Sequence, residues 1–528
     1  MSHSEARSTH PQAPMDHGGL APVSSEASLA APCAAGEARP SLTEPPPRVK
    51  SRTRSRRELL TGVGAVLTAM WAGSREARGG PLSNARWLAE RISFGPTEAE
   101  YALADSLGYE GYLEHQLAHT AIDDSALQTR LAGLTTLAMQ PYELIGLPGG
   151  QVRNELTEAA ILRAVYSPRQ LYERMVEFWN DHFHTDIAEG INQQLRTIDD
   201  REVIRPHALG RFPDMLAASA QSPSMLYYLD NVTSVVGNPN ENYPRELLEL
   251  HTLGVTGGYT QQDVVELARC LTGWTIWNAN ANPVNVRWTF RYNSATHDNG
   301  AKTVLGATIP AGGGINDGLT VLGILMNHPS TAAFIAGKLC RRFYGEAPPQ
   351  SLIDTVAAAY SSTGGDIKAM LRALFLNMDP QTAPPKYKRP FHLMMSALRQ
   401  SGAAITTTSS LRTQLQLGGQ LPFRWPAPDG YPDTLDAWAG LILPRWNFGA
   451  SLLNGNISGS SVSINTLLAG ANSADLVMAR IDAALFGGAM PAAQRERIRQ
   501  YLLPDPPTDT RKRDAVGLAI AAPEFQWH

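Results

Sequence analysis

Three clusters of polar side chains carry the chemistry this sequence offers. The first is Phe178-Trp179-Asn180-Asp181-His182-Phe183-His184. On a helix advancing about 100° per residue from Leu171, one broad apolar face collects Leu171, Tyr172, Met175, Val176, Phe178, Trp179 and Phe183. His182 falls inside that face, while Glu177, Asp181 and His184 fall on the opposite side. An imidazole in apolar surroundings needs a partner. A structural histidine finds it in a main-chain carbonyl. A functional one finds it in a proton-transfer group or a metal.

The second cluster runs from Asn242 to Gly254 and holds Arg245, Glu246, Glu249 and His251. Pro244 suits a first helical position and Gly254 a C-terminal cap. Leu247, Leu248, Leu250 and Leu253 point nearly all round the axis, which predicts a buried helix. Glu246 and Glu249 share a side of it, and Arg245 can reach Glu249 one turn on. Two carboxylates there require cations, protonation or a metal. The competing reading is an Arg–Glu network tying helices together. His251 lies on another side and suits the helix C-terminal dipole.

The third cluster is His297-Asp298, with Lys302 following. A loop His-Asp pair fits general acid–base work or ligand binding. The plainer reading is an Asx-type turn with an exposed histidine. Arg341-Arg342 reads as a favourable charge at a helix C-terminus. The sequence contains no Walker loop, no Gly-x-Ser-x-Gly elbow, no His-Glu-x-x-His and no Cys-x-x-Cys.

The elements that must position these groups are mostly helices. Ser167-Pro168 signals one start, and Thr260 to Asp263 forms a capping box before Val264–Leu271. His328-Pro329 opens a helix to about Phe343, and Pro390 opens one to about Gln400. Two more helices fill 474–503, and a last one lies near 512–522. Val284, Val286, Trp288, Phe290 and Tyr292 alternate with polar residues, the period of a strand, with Lys302–Ile309 as its partner. Residues 418–433 and 454–465 read as long loops. The expected fold is mainly α: one multi-helical globular domain over 82–528 with a small inserted β-hairpin at about 284–309.

Residues 1–50, rich in Ala, Pro, Ser and Glu, read as a disordered extension. Residues 51–79 read as a twin-arginine-type signal. Basic residues that include Arg56 and Arg57 precede the apolar run Leu59–Ala72, which is shorter than the roughly 18–20 residues that span a bilayer. This predicts export to the periplasm or beyond, of a protein folded before it crosses. No later apolar run is long enough to span, so a soluble mature chain is expected. The formal net charge of −4 over 528 residues gives no footprint for nucleic acid. Beyond Cys33 in the leader, Cys270 and Cys340 read as buried free thiols.

Several stretches together resemble a bacterial family known as domain of unknown function 1800. They are Ala89–Pro96, Phe178–Phe183, Asn240–Trp274 with its Arg-Glu-Leu-Leu-Glu-Leu-His core, His297-Asp298, His328-Pro329, Trp425–Pro432 and Ala522–Gln526. The resemblance implies a helical, often exported protein without a settled activity. It also implies a partner, an exported protein of the unknown-function 1501 family, which is similar to alkaline phosphatases and sulfatases. His182, Arg245, Glu246, Glu249, His251, His297 and Asp298 match the family pattern. His392 stands where that pattern has an acidic residue.

Two readings follow. In one the chain is an exported enzyme or metal-dependent protein. Its catalytic candidates are His182, Glu246, Glu249, His297 and Asp298, with a carboxylate as base and a histidine as acid. No cofactor is identified by motif. A divalent metal (Zn, Mn or Fe) would suit His182, Glu246, Glu249 and His251 as ligands. In the other reading the chain is a non-catalytic helical binding or assembly protein, and these polar groups are structural.

Overall fold

Local chemistry starts most helices close to where the sequence signals them. A computed structural model describes residues 82–528. The extension 1–50 and the segment 51–79, with Arg56 and Arg57, lie outside the described residues. Thr260 caps the helix Gln261–Cys270 through reciprocal bonds with Asp263. Proline occupies the first position of Pro329–Phe343 and of Pro390–Gln400. Ala474–Phe486, Ala492–Leu502 and Asp509–Ala521 follow. Near Ser167-Pro168 the helix begins later, at Gln170, and Ser167 Oγ accepts the Arg169 amide in the preceding turn. The fold is multi-helical and mainly α, with only small two-stranded sheets.

The expected hairpin is corrected by the structure. Trp274–Ile276 pairs with Phe290–Tyr292, and Lys302–Val304 pairs with Ala307–Ile309, both antiparallel. Val284–Val286 forms a 3-10 turn instead of a strand. Trp288 explains the break in the alternation. Its φ of 65° turns the chain through the left-handed region, so the period of two cannot continue across it. Only the three residues after Thr289 keep the strand.

The second cluster also departs from a regular buried helix. Asn242–Glu246 is α-helical, and Leu247–Thr252 widens into a π-helix. The Leu253 amide reaches back five residues to the Leu248 carbonyl at 2.8 Å, and the Thr252 hydroxyl donates to the Leu247 carbonyl at 2.6 Å. Leu247, Leu248, His251 and Thr252 face inward. Glu246, Glu249 and Leu250 are only half-buried, so the helix is not apolar all round.

Two large hydrophobic cores organise the described residues. One gathers Leu171, Trp179, Phe183, Phe212, Leu247, Leu339 and Phe343. The other gathers Leu393, Leu398, Phe448, Val477, Val516 and Phe525. Every residue of Pro390–Gln400 is buried, which places that helix centrally. Phe391 packs edge-on against Phe94 at 5.5 Å. Cys270 and Cys340 are buried free thiols. Among the described residues no single helix is long and apolar enough to cross a membrane.

Candidate functional site

His182 is the last residue of the helix Gln170–His182, and its ring is packed among Trp179, Phe183 and Phe212. Nε2 lies 3.1 Å from the His251 carbonyl. A carbonyl only accepts, so Nε2 carries the proton and Nδ1 presents a lone pair. That lone pair faces Lys338 Nζ at 2.9 Å. Burial, with Lys338 and His251 nearby, holds the ring well below its ordinary pKa, so it is neutral. Lys338 comes from the helix Pro329–Phe343 and is half-buried. Burial lowers its amine to about 8. The carboxylates of Asp181, Asp429 and Asp433 oppose that shift and Arg341 adds to it.

This pair forms one wall of a cleft of ≈ 190 Å³, with Asp181, Arg341, Asp429 and Asp433 among its other walls. A charge network lines the cleft and ties the helix Gln170–His182 to the residue before Pro390. Arg389 gives one nitrogen to Glu177 Oε1 at 2.5 Å and another to Asp181 Oδ2 at 2.7 Å. Arg342 pairs with the other Glu177 oxygen, and Asp433 lies between Arg342 and Lys386. Burial pushes Glu177 up, but Arg342, Arg389 and Arg174 outweigh it and hold the carboxyl at about 2. Burial raises Asp181, with Glu177 adding to the effect and Arg389 opposing it. An amine fixed between a lone pair and a solvent-reached cleft can act as a base or as a nucleophile.

The family model described as Protein of unknown function (DUF1800) matches residues 87–527. The chain belongs to this family. No curated protein and no solved structure matches the chain.

The structure of this DUF1800 chain separates the sequence candidates. It brings His182 and His251 together, with ring centroids 6.0 Å apart. The His251 carbonyl serves His182, while both nitrogens of its own ring are buried without a partner and burial lowers its pKa to about 3. It is therefore a core residue and does not cap a helix dipole. Glu246 and Glu249 stay together at the half-buried surface. Burial and Glu249 raise Glu246, opposed by Arg245, with Asp429 adding a smaller push. Asp429 thus stands within electrostatic reach of both Glu246 and Lys338. Arg245 turns to Glu241 and Gln261 instead of Glu249, because Glu241 lies one turn before it on the exposed side.

His297 and Asp298 point to different partners. His297 is buried between the Thr272 carbonyl at 2.8 Å and Asp317 at 3.1 Å, and Asp317 also takes Lys302. Asp298 receives Arg269 at 2.8 Å and the Gly300 amide at 2.8 Å, an Asx-type turn. The histidine of that turn is buried, not exposed. Among the described residues, no three His, Cys, Asp or Glu side chains are grouped to hold a metal ion. The set His182, Glu246, Glu249 and His251 therefore does not form a ligand shell here. The π-turn puts His251 inward, while Glu249 within it and Glu246 just before it lie half-buried.

Glu177 and Asp181, read as lying opposite the apolar face, both lie in the charge network. Two further expectations change. His184 lies beyond the helix end and is buried, with Nε2 at 2.7 Å from the Trp425 carbonyl. Arg342 is buried and paired with Glu177, so it does more than complement a helix dipole. Its neighbour Arg341 is exposed at the cleft.

Lys338 escaped notice in the sequence. The available signal is its place on the apolar side of its helix, three residues after Ile335 and four after Phe334. Asp433 and Arg389 carried weaker signals, since a charge beside proline reads as loop. The departure at 392 also acquires a physical meaning. His392 Nδ1 lies 3.1 Å from Arg174, where an acidic residue would form an ion pair. Burial and Arg174 keep this histidine neutral, and Arg174 takes Glu177 as its carboxylate.

Proposed function

We propose that this DUF1800 chain is an exported enzyme that uses the Lys338 amine as nucleophile or base toward a carbonyl-bearing substrate. The observation that carries the reading is the 2.9 Å contact between Lys338 Nζ and His182 Nδ1 in the wall of the cleft. With its pKa near 8, a useful fraction of the amine is neutral at physiological pH. Its lone pair adds to a carbonyl carbon, both amine protons leave with the carbonyl oxygen as water, and an imine remains. His182 fixes the position of the amine. The ring does not serve as the acid, because its own protonation is strongly disfavoured. Asp429 and Asp433 line the same cleft as the amine.

Export is part of this proposal and rests on Arg56-Arg57 ahead of a short apolar run. Replacing both arginines by lysine should retain the protein in the cytoplasm. Periplasmic recovery of that variant would remove the twin-arginine reading. The partnership with an exported unknown-function 1501 protein rests on the family resemblance. Co-purification of the two tagged proteins from the periplasm tests it.

The lysine reading is tested by competitive labelling of the full chain with trace acetic anhydride across pH 6–11, resolved by peptide mass spectrometry. Lys338 should titrate near 8. A midpoint in the range of solvent-exposed lysines would overturn the reading.

A further inference from the structure

A second cavity adjoins the lysine cleft. It measures ≈ 300 Å³ and shares Arg389, Asp433 and Thr434 with the first. Tyr387, Trp438, Trp527 and Leu435 supply its apolar walls. These rings are held in place. Tyr387 and Trp527 pack edge-to-face at 5.0 Å, and their backbones bridge. Trp438 Nε1 donates to the Pro432 carbonyl at 2.9 Å, and its ring leans on Tyr431 at 6.0 Å. A rigid aromatic box of this size suits a single ring.

Most polar groups around the box are already committed. Lys386 Nζ bonds Asp433 at 3.1 Å and the Arg341 carbonyl at 2.8 Å. Glu346 accepts the Leu435 amide, and Arg389 holds Glu177 and Asp181. The Tyr387 hydroxyl and Arg389 Nε have no partner among the described residues, but both atoms are buried away from the open space of the box. A sugar ring carries several hydroxyls that would go unmatched here, which favours a ring with few polar atoms. The open position is Arg341, an exposed cleft residue that makes no ion pair among the described residues. Asp433 and Asp181 in the same cleft are taken by Arg342, Lys386 and Arg389, which leaves Arg341 as a cation that an anion can meet. Arg341 lines the cleft, and the cleft meets the box at Arg389, Asp433 and Thr434.

We propose that the aromatic cavity holds the ring of a small ring-bearing carboxylate, with its acid group at Arg341 and a neighbouring carbonyl toward Lys338. This deepens the lysine reading above and rests on it for the carbonyl alone. The ring and the acid are recognised by groups that do not include Lys338.

The test is calorimetric titration of the full chain with phenylacetate, phenylpyruvate, pyruvate, glucose and tetramethylammonium. A parallel set with phenylpyruvate and cyanoborohydride is read by peptide mass spectrometry. Phenylacetate and phenylpyruvate should bind at least about tenfold tighter than pyruvate, the scale expected for a stacked ring. Trp527→Ala should abolish that preference, and Arg341→Ala should weaken all three acids. Equal binding of phenylacetate and pyruvate would overturn the proposal, as would tighter binding of glucose or tetramethylammonium, or a folded Trp527→Ala with unchanged preference. Lys338→Ala should retain phenylacetate binding and lose the trapped adduct. Ring-dependent binding without an adduct at Lys338 in the wild type would sink the lysine chemistry while leaving the ring site standing.

Discussion

Lys338 Nζ meets His182 at the one ring nitrogen that the His251 carbonyl leaves free. The tautomer is dictated from behind, by the backbone of the π-turn, and the amine receives a fixed acceptor in front. A core histidine satisfied by a carbonyl and a histidine with a functional partner were competing readings of the sequence. In the structure each describes one of the two nitrogens.

The amine should leave a pH signature on stability. Its folded pKa of about 8 lies below the ordinary 10.5, so between these values the unfolded chain binds more protons than the folded one. Stability from this group therefore rises with pH across that window, and the cost of burying the charge is fully present below 8. Thermal melts at pH 7 and pH 10 should show wild type gaining on Lys338→Met by roughly 1–3 kcal/mol. A gap that is constant, or that moves the other way, would mean an ordinary ion-paired lysine.

Glu177 should behave in the opposite sense. Its folded pKa of about 2 lies below the ordinary 4.5. Its contribution is fully present above 4.5 and is lost as pH falls toward 2. Glu177→Gln leaves Arg174, Arg342 and Arg389 with one carboxylate fewer and should cost about 3–5 kcal/mol in urea unfolding at pH 7. The variant should also show a flatter loss of stability between pH 4.5 and 2.

Asp298 serves as a structural clamp on Arg269. Asp298→Asn should cost about 1–2 kcal/mol and leave Lys338 labelling unchanged. His297→Ala should cost more, about 2–3 kcal/mol, because Asp317 and Lys302 then lose a buried neighbour. Altered Lys338 reactivity in folded Asp298→Asn would restore this pair to the site.

Chelation should have little effect on stability. With no grouped metal ligands among the described residues, dialysis against EDTA should leave Tm within about 1 °C, since no binding free energy is removed. Elemental analysis showing a stoichiometric metal, with a fall in Tm on its removal, would contradict this.

Much of the framework was legible because it depends on local chemistry. Thr260, Pro329 and Pro390 announce their helices through caps and fixed backbone angles, which need no knowledge of distant residues. The apolar face that buries His182 was readable for the same reason. The strand at Val284 was not, because Trp288 adopts a left-handed conformation that no periodicity reveals. The site was half legible. His182 could be found from its helix, but its partners come from elsewhere in the chain. Lys338 lies 156 residues further along, and the 2.9 Å that joins them is a product of packing between helices. Glu246 and Glu249 read as buried because leucines ring the axis, but Leu250 is only half-buried, so the helix is open to the surface on one side.

The seam between the cores has a consequence in time. Glu177 and Asp181 emerge from the ribosome together with His182, but their shared cation, Arg389, emerges more than two hundred residues later, and Asp433 and Trp438 later still. Until Arg389 is made, Glu177 has Arg174 and then Arg342 to pair with, while the ion-pair partner of Asp181 is still to come. The walls of the cleft reach from Phe178 to Thr434, so the site cannot be complete until more than four fifths of the polypeptide has been made.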